Sequence, residues 1–414
     1  MRSTSSDLIT RYREPGDFSP FPVAARAGNF LFAPCVTNTQ ASDPRPLGTW
    51  RSRHEARVVL ERLGSIMSKA GSSLDNVINL IQSFDGRGQT AGYVEERALH
   101  FQNGVPTSTG TGATRLATPD ALIQLDAIGI IPSPGESLKY LGGASKAAKY
   151  SNAVRYGDLV FFAGVMTSAP EARVDPDRWF GSAVKNELRL IMEQSLAGVL
   201  KDSGCSASDI AVAHFHLLHP CDDFGPLHEL IEEFFPTSKP VFMVSPSSGL
   251  GSLPGRIEIT PIAVHPQGKT RSTDIEVPGL PAAMLGGPHA KRVGDLVFIG
   301  TQHVVNEVGQ NLAAKLDPRA SHLLDPTAQE MELIVDRIEA ICKAAGAPTT
   351  NLVRLRLFVS DISVVPAAIM VIRRRLGDDV PLSVVEDAQS AGWLGQSSIS
   401  ADAVLFAPTA KAGS

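Results

Sequence analysis

One signal occurs three times in this chain, and a chain that repeats itself is expected to fold as repeats. YGDLVFFAGVMT (Tyr156–Thr167) returns as VGDLVFIGTQHV (Val293–Val304) and, more worn, as AGNFLFAPCVTN (Ala27–Asn38). Each copy is a Gly followed by Asp or Asn, then an apolar run rich in Val and Phe. That pattern reads as a turn feeding a buried strand. The Gly suits a tight hairpin corner that needs a positive φ.

The segment after each hairpin also recurs. An apolar stripe at helical spacing comes next: Val59, Leu60, Leu63, Ile66 and Met67; then Leu188, Ile191, Met192, Leu196, Val199 and Leu200; then Met331, Ile334, Val335, Ile338 and Ile341. A glycine stops each helix, at Gly71, Gly204 and Gly346, as a C-cap does. A strand (Val77–Phe84, Ile210–Leu218, Leu352–Val359), a second helix (near Gly92–Phe101, Asp223–Phe235, Val365–Leu376) and a closing strand (Leu122–Ile130, Arg256–Val264, Gln396–Phe406) complete each unit. The interval from helix-ending glycine to closing strand (Gly71–Gln124, Gly204–Glu258, Gly346–Ser398) is nearly constant. The segment before the first helix absorbs the variation, as a loop can.

The expected architecture is α+β: three tandem ββαβαβ units, each one sheet with two helices on one face. Their bounds read as 18–131, 146–266 and 282–408, with linkers at Pro132–Ala148 and His265–Pro281 and a polar arm before Phe18. Each sheet's bare face needs a cover, and three units curled around a pseudo-threefold axis cover one another.

The 414 residues carry a net charge of −5, with Lys and Arg unclustered, which argues against a nucleic-acid surface. No apolar run approaches the roughly 20 residues that span a bilayer, and the N-terminus lacks a secretory apolar core. Cys35, Cys205, Cys221 and Cys342 lie far apart, so neither disulfides nor a structural zinc is expected. The chain reads as cytoplasmic, with a small-molecule substrate, no nucleic-acid or membrane partner and no cofactor. It reads as a monomer with pseudo-threefold symmetry, a higher oligomer being left open.

YSNAVRYGDLVFFAGVMT (Tyr150–Thr167), SGCSASDI, DDFGPLHELIEEFFP and IEITPIAV, in that order, resemble one subunit of the Rid family, the reactive-intermediate (imine/enamine) deaminases also called YjgF-like. KRVGDLVFIG and KAAGAPTTNLVRLRLFVSDI carry the likeness in the third unit, and AGSSLDNV, with the order of elements, in the first. The resemblance implies a chorismate-mutase-like fold and an intramolecular version of a trimer whose pockets lie between units. It also implies an Arg two residues after a Pro, holding the substrate carboxylate. The matching positions are Ser108, Phe242 and Ser383, so no unit keeps it, and Phe242 implies a larger or less anionic ligand. A family Glu on the closing strand matches Gln124, Glu258 and Ser398. A pocket Tyr matches Phe21, Tyr150 and Gly287, and a Ser-Gly pair matches Pro34-Cys35, Ala163-Gly164 and Gly300-Thr301. An Asn of the second helix matches Val94, His228 and Ile369. The second unit is therefore the chemically equipped copy.

The expected catalytic residues are Glu258 and His228, moving protons, and Tyr150, orienting substrate. Phe242, Gly164, Ser108, Ser383, Gln124 and Cys35 are the expected substrate-binding residues. A carboxyl facing a cleft can titrate near neutrality, as imidazole does; the plainer reading of Glu258 is a solvent-facing strand residue. His214, His216 and His219 form a weak metal signal, more simply imidazoles in a polar seam. Cys35 shows no local base to activate it. STGTGAT (Ser108–Thr114) lacks the phosphate-loop Lys and reads as a closing loop. With these residues, the resemblance implies an enzyme working on an imine, enamine or activated carbonyl by hydrolysis, tautomerisation or lyase chemistry, in specialised metabolism. The alternative is a non-catalytic binding or scaffold protein of Rid fold.

Overall fold

A computed structural model gives the fold. It describes residues 2–5, 8–14, 19–38, 47–86, 90–101, 103–145, 150–167, 183–251, 255–306, 309–314, 326–388, 393–394 and 397–409; Gln396, where the last strand was expected to begin, lies outside them.

There are three sheets. The first holds β1 (Arg2–Ser5), β2 (Ile9–Arg13), β3 (Ala24–Ala27), β4 (Phe30–Thr37), β5 (Val77–Asp85), β6 (Thr107–Ala113) and β8 (Ile123–Ile130), in the order β1-β2-β3-β4-β8-β5-β6. The short β7 (Arg115–Leu116) leaves it for the third sheet. The second sheet is built from β9 (Lys139–Ser145), β10 (Tyr150–Tyr156), β11 (Leu159–Phe162), β12 (Ile210–Leu217), β13 (Val241–Pro246) and β14 (Ile257–Val264), ordered β13-β12-β14-β11-β10-β9. The third holds β15 (Ser272–Ile275), β16 (Ala290–Val293), β17 (Leu296–Gln302), β18 (Leu352–Val359), β19 (Leu382–Glu386) and β20 (Ile399–Phe406), ordered β15-β16-β17-β20-β18-β19-β7. Each sheet is antiparallel except for its pair β5–β6, β12–β13 or β18–β19.

The hairpin glycines Gly28, Gly157 and Gly294 all have φ near +57° to +59°, the conformation expected of the corner. Two helices serve each unit: α1 (Arg51–Lys69) and α2 (Thr90–His100); α3 (Ala183–Leu190), which continues through a π turn (Ile191–Leu196) into α4 (Ala197–Asp202), with α5 (Pro220–Phe234); and α6 (Pro326–Ala344) with α7 (Val365–Arg375). Their apolar faces build one core per unit.

A fourth core lies on the opposite face of the sheets and draws on all three units. Phe32 and Ile128, Val154 and Phe161, and Phe298 and Val404 meet there. This is the mutual cover that a one-faced sheet requires, and it makes the chain a pseudo-trimer. The three hairpin turns, at Asn29, Asp158 and Asp295, converge on a cavity of about 400 Å³.

Four expectations are corrected. The polar arm is not free: β1 and β2 form a hairpin that extends the first sheet. Both linkers carry a strand, β9 and β15, paired to β10 and β16. Each unit has one strand more than ββαβαβ, between the second helix and the closing strand. In the first unit that strand is β6, so the expected closing loop at Ser108–Thr114 is a strand from Ser108 to Ala113. β1, β6, β9 and β15 are polar or Thr/Gly-rich edges, which carry little alternation to read, whereas β13 (VFMVSP) and β19 (LSVVE) are short buried runs with no clean polar/apolar alternation.

Candidate active site in the seam between the first two units

β6 is the edge of the first sheet, and the second unit covers it. Ser151 N–H donates to Pro106 O (3.3 Å), Gly164 N–H to Ser108 O (3.1 Å) and Gly251 N–H to Gly110 O (2.8 Å). This backbone stitching sets Ser108 beside the first strands of the second unit.

Glu258 follows Ile257 on β14. In the register it faces His216 of β12, while Ile257 and Ile259 on the other face enter the helix-side core. Glu258 thus points into the seam. It is 4% exposed, and its Oε2 has no hydrogen-bond partner among the described residues. Burial alone pushes its carboxyl up to about 8, so at neutral pH it holds its proton. Gly164 is what makes room for it: a Cβ there would lie 1.8 Å from Glu258 Oε1.

Tyr150, half-buried, opens β10. Burial raises its phenol pKa, the Glu258 charge adds to that, and Arg97 opposes it. Arg97, on α2 of the first unit, donates from Nη1 to Ser108 Oγ. Ser108 Oγ donates in turn to Gln82 Oε1 (3.0 Å), and the guanidinium lies 5.4 Å from the Tyr93 ring centroid. Thr109 and Thr260 join across the same seam through their hydroxyls (2.9 Å). Ser108, Tyr150, Gly164 and Glu258 are therefore brought together from two units.

His228 is not part of this group. It stands on the exposed side of α5, its ring 6.4 Å from Phe224, which meets Trp393 of the third unit. The imidazole beside Glu258 is His216, which strand pairing places there. His216 Nδ1 and His214 Nε2 both bond Ser245 Oγ (2.9 Å each), with ring centroids 3.9 Å apart. Burial drives His216 down to about 3 and His214 well below its usual value, so both are neutral. Among the described residues no group of three His, Cys, Asp or Glu is placed to hold a metal ion.

The remaining expected positions fall in the other two seams. Gln124 Nε2 donates to Ser383 Oγ (3.0 Å) and Cys35 Sγ to Gln124 Oε1 (3.4 Å), joining first and third units. Phe21 is absorbed into the third unit's core. Phe242 is 1% exposed. It packs on Phe215 and Phe235 and fills the space over Gly287, where a Cβ would meet its ring at 2.7 Å. One aromatic ring thus crosses that seam from the opposite side, and closes it. In the third sheet the strand register puts Ser400, not Ser398, opposite Phe358, the position equivalent to Glu258 opposite His216.

Arg97 and His216 were not legible as site residues. Arg97 sits on a helix of the neighbouring unit, and no local spacing links it to Glu258. His216 had a signal, its alternation with His214, but only strand pairing shows its neighbour.

The fold defines a class: a single chain in which three α+β units share one axial core and place their polar chemistry in the seams. No family model matches the chain. It is 28% identical to a RutC family protein of Pyrococcus horikoshii over 124 residues, 30% of this chain and 95% of that one. Solved structures similar to it include a chorismatase (13% identity, 80% of this chain and 93% of the other, TM-score 0.48). They also include yeast YEO7 (22%, 33% and 99%, TM-score 0.28) and a YjgF/YER057c/UK114 family member from Mycobacterium tuberculosis (22%, 33% and 99%, TM-score 0.25). The repeated unit is Rid-like, and the chain is a tandem Rid-like repeat protein. Among the described residues no helix is long and apolar enough to cross a membrane.

Proposed function

We propose that this protein is a divergent Rid-fold enzyme that acts on a small imine, enamine or activated carbonyl compound in the seam between its first and second units. The observation that carries the reading is Glu258: a buried carboxyl, neutral at pH 7, with an oxygen that no described residue satisfies. Such a group is costly to keep without use. It is suited to give a proton to a nitrogen or carbonyl oxygen and to take one back from water or carbon. Tyr150 orients the substrate, with Ser108 and the Gly164 backbone lining its approach. Hydrolysis, tautomerisation and elimination all need such a proton carrier.

A non-catalytic binding role is the second reading, favoured by the closure of another seam by Phe242. The test is turnover of imines and enamines generated in solution, and of activated esters and lactones, followed by mass spectrometry. Glu258→Gln, which keeps shape and loses the proton, is expected to lower kcat at least 100-fold with the fold intact. An undiminished rate in this variant would remove Glu258 from the mechanism. Binding without turnover across the panel would favour the second reading.

A further inference from the structure

We propose that Arg356 is a positioning residue for the seam between the first two units: acting from the molecular axis through His214, Ser245 and His216, it fixes the direction of every hydrogen bond up to the Thr260–Thr109 pair that joins those units. The inference rests on the reading of that seam as the site and adds to it a single hydrogen pattern set from the third unit.

Five contacts run in file. Arg356 Nη2 lies 3.3 Å from His214 Nδ1, His214 Nε2 2.9 Å from Ser245 Oγ, and Ser245 Oγ 2.9 Å from His216 Nδ1. His216 Nε2 lies 3.2 Å from Thr260 Oγ1, and Thr260 Oγ1 2.9 Å from Thr109 Oγ1. All six residues are at most 5% exposed, so an unmatched donor or acceptor is costly at each step.

One assignment of hydrogens satisfies the file. A guanidinium donates and cannot accept, and Arg356 is held in place by Asp402, which accepts from Nε at 2.8 Å and from Nη2 at 2.7 Å. His214 Nδ1 must therefore accept. Burial keeps both imidazoles neutral, so His214 carries its hydrogen on Nε2 and gives it to Ser245. Among the described residues the Ser245 hydroxyl bonds the two rings and nothing else. Its hydrogen goes to His216 Nδ1, because the His214 ring already donates. His216 then carries its own on Nε2 and gives it to Thr260, whose hydrogen goes to Thr109.

The histidine pair is peculiar to the second unit. Ile81 and Arg356 stand where His214 does, and two residues onward are Ser83 and Phe358. Glu258 lies opposite His216 on the next strand and changes charge near neutral pH. The imidazoles and hydroxyls of the file keep one orientation while it does.

The test reads the rings directly. Full-length protein carrying isotope-labelled histidine is examined by long-range proton–nitrogen NMR at neutral pH, with the two rings assigned through His214→Gln and His216→Gln. Both are expected as the Nε2–H tautomer. Ser245→Ala cuts the file in the middle: His214, still held by Arg356, should keep its tautomer, and His216 should lose its own and show the Nδ1–H form as well. Thr260→Val cuts the file beyond both rings and should leave them unchanged. An Nδ1–H or doubly protonated ring at either position in the wild type overturns the proposal, as does a His216 that ignores Ser245→Ala or follows Thr260→Val. Neutron diffraction from wild-type crystals reads the same hydrogens if a variant folds poorly. No turnover is measured, so failure here leaves Glu258 as proton carrier, and an undiminished rate in Glu258→Gln leaves the file of hydrogen bonds standing.

Discussion

Glycine at position 164 lets Glu258 occupy the seam, since any side chain there would lie on the carboxyl. The carboxyl in turn leaves a thermodynamic mark. Burial holds it at about 8 in the folded chain, whereas an unfolded Glu titrates near ~4.3. Between those values the folded state keeps a proton that the unfolded state has released. Stability therefore falls as pH rises through that window, by up to about 1.4 kcal/mol per pH unit. Glu258→Gln has no proton to lose, so it should match the wild type below about pH 4 and gain on it steadily up to about pH 8. Denaturant midpoints measured across that range give the comparison. Parallel curves for the two proteins would mean that the carboxyl is solvated and ionised when folded.

At the scale of elements, each unit locks its closing strand to its first helix with one buried glutamate. Glu187 accepts from Arg256 N (2.9 Å) and Ile257 N (3.2 Å). Glu55 does the same for Leu122 and Ile123, and Glu330 accepts from Ser398 N (2.8 Å). The Glu187 lock sits one residue before Glu258, so it positions the site as well as the strand. Glu187→Ala leaves two backbone donors unsatisfied and should cost roughly 2–4 kcal/mol, read as a lower denaturant midpoint, with Glu187→Gln recovering part. An unchanged midpoint for Glu187→Ala would show that water replaces the carboxylate without loss. The same glutamates explain the π turn. From lock to helix-ending glycine the second unit is one residue longer (Glu187–Gly204, against Glu55–Gly71 and Glu330–Gly346). A π turn takes up one extra residue without rotating the faces on either side. The helices, their glycine stops and the buried strands were legible because their periodicity and punctuation are local. β1, β9 and β15 were not, because polar edge strands need no apolar alternation, and β2 was not, because ITRYR buries Ile9 and Tyr12 without a regular period. β6 was not, because TSTGTGA draws its burial from a neighbouring unit that the local pattern does not contain.

At the scale of the molecule, sequence spacing announced three units and the need for a shared face, but not what fills its polar part. Equivalent positions have diverged into complementary groups: Ile81 pairs with Asp126, His214 with Thr260 and Arg356 with Asp402. Arg356 reaches all three units. It bonds Asp402 twice (2.8 and 2.7 Å), Asp126 of the first unit (3.4 Å) and His214 Nδ1 of the second (3.3 Å). Burial raises Asp126, and Arg354 and Arg356 pull it back. Removing one member of such a network strands the others in a medium that cannot solvate them, at a cost of about 3–5 kcal/mol. Arg356→Met lies in the third unit, yet the shared core requires that its cost be borne by the whole chain. Unfolding followed by tryptophan fluorescence, with Trp50 in the first unit and Trp393 in the third, and by far-ultraviolet circular dichroism should therefore show coincident transitions. The variant's single midpoint should be lowered as a whole. If the third unit instead melts alone while the first two persist, the units are neighbours joined by chain, and the axial core does not bind them into one cooperative fold.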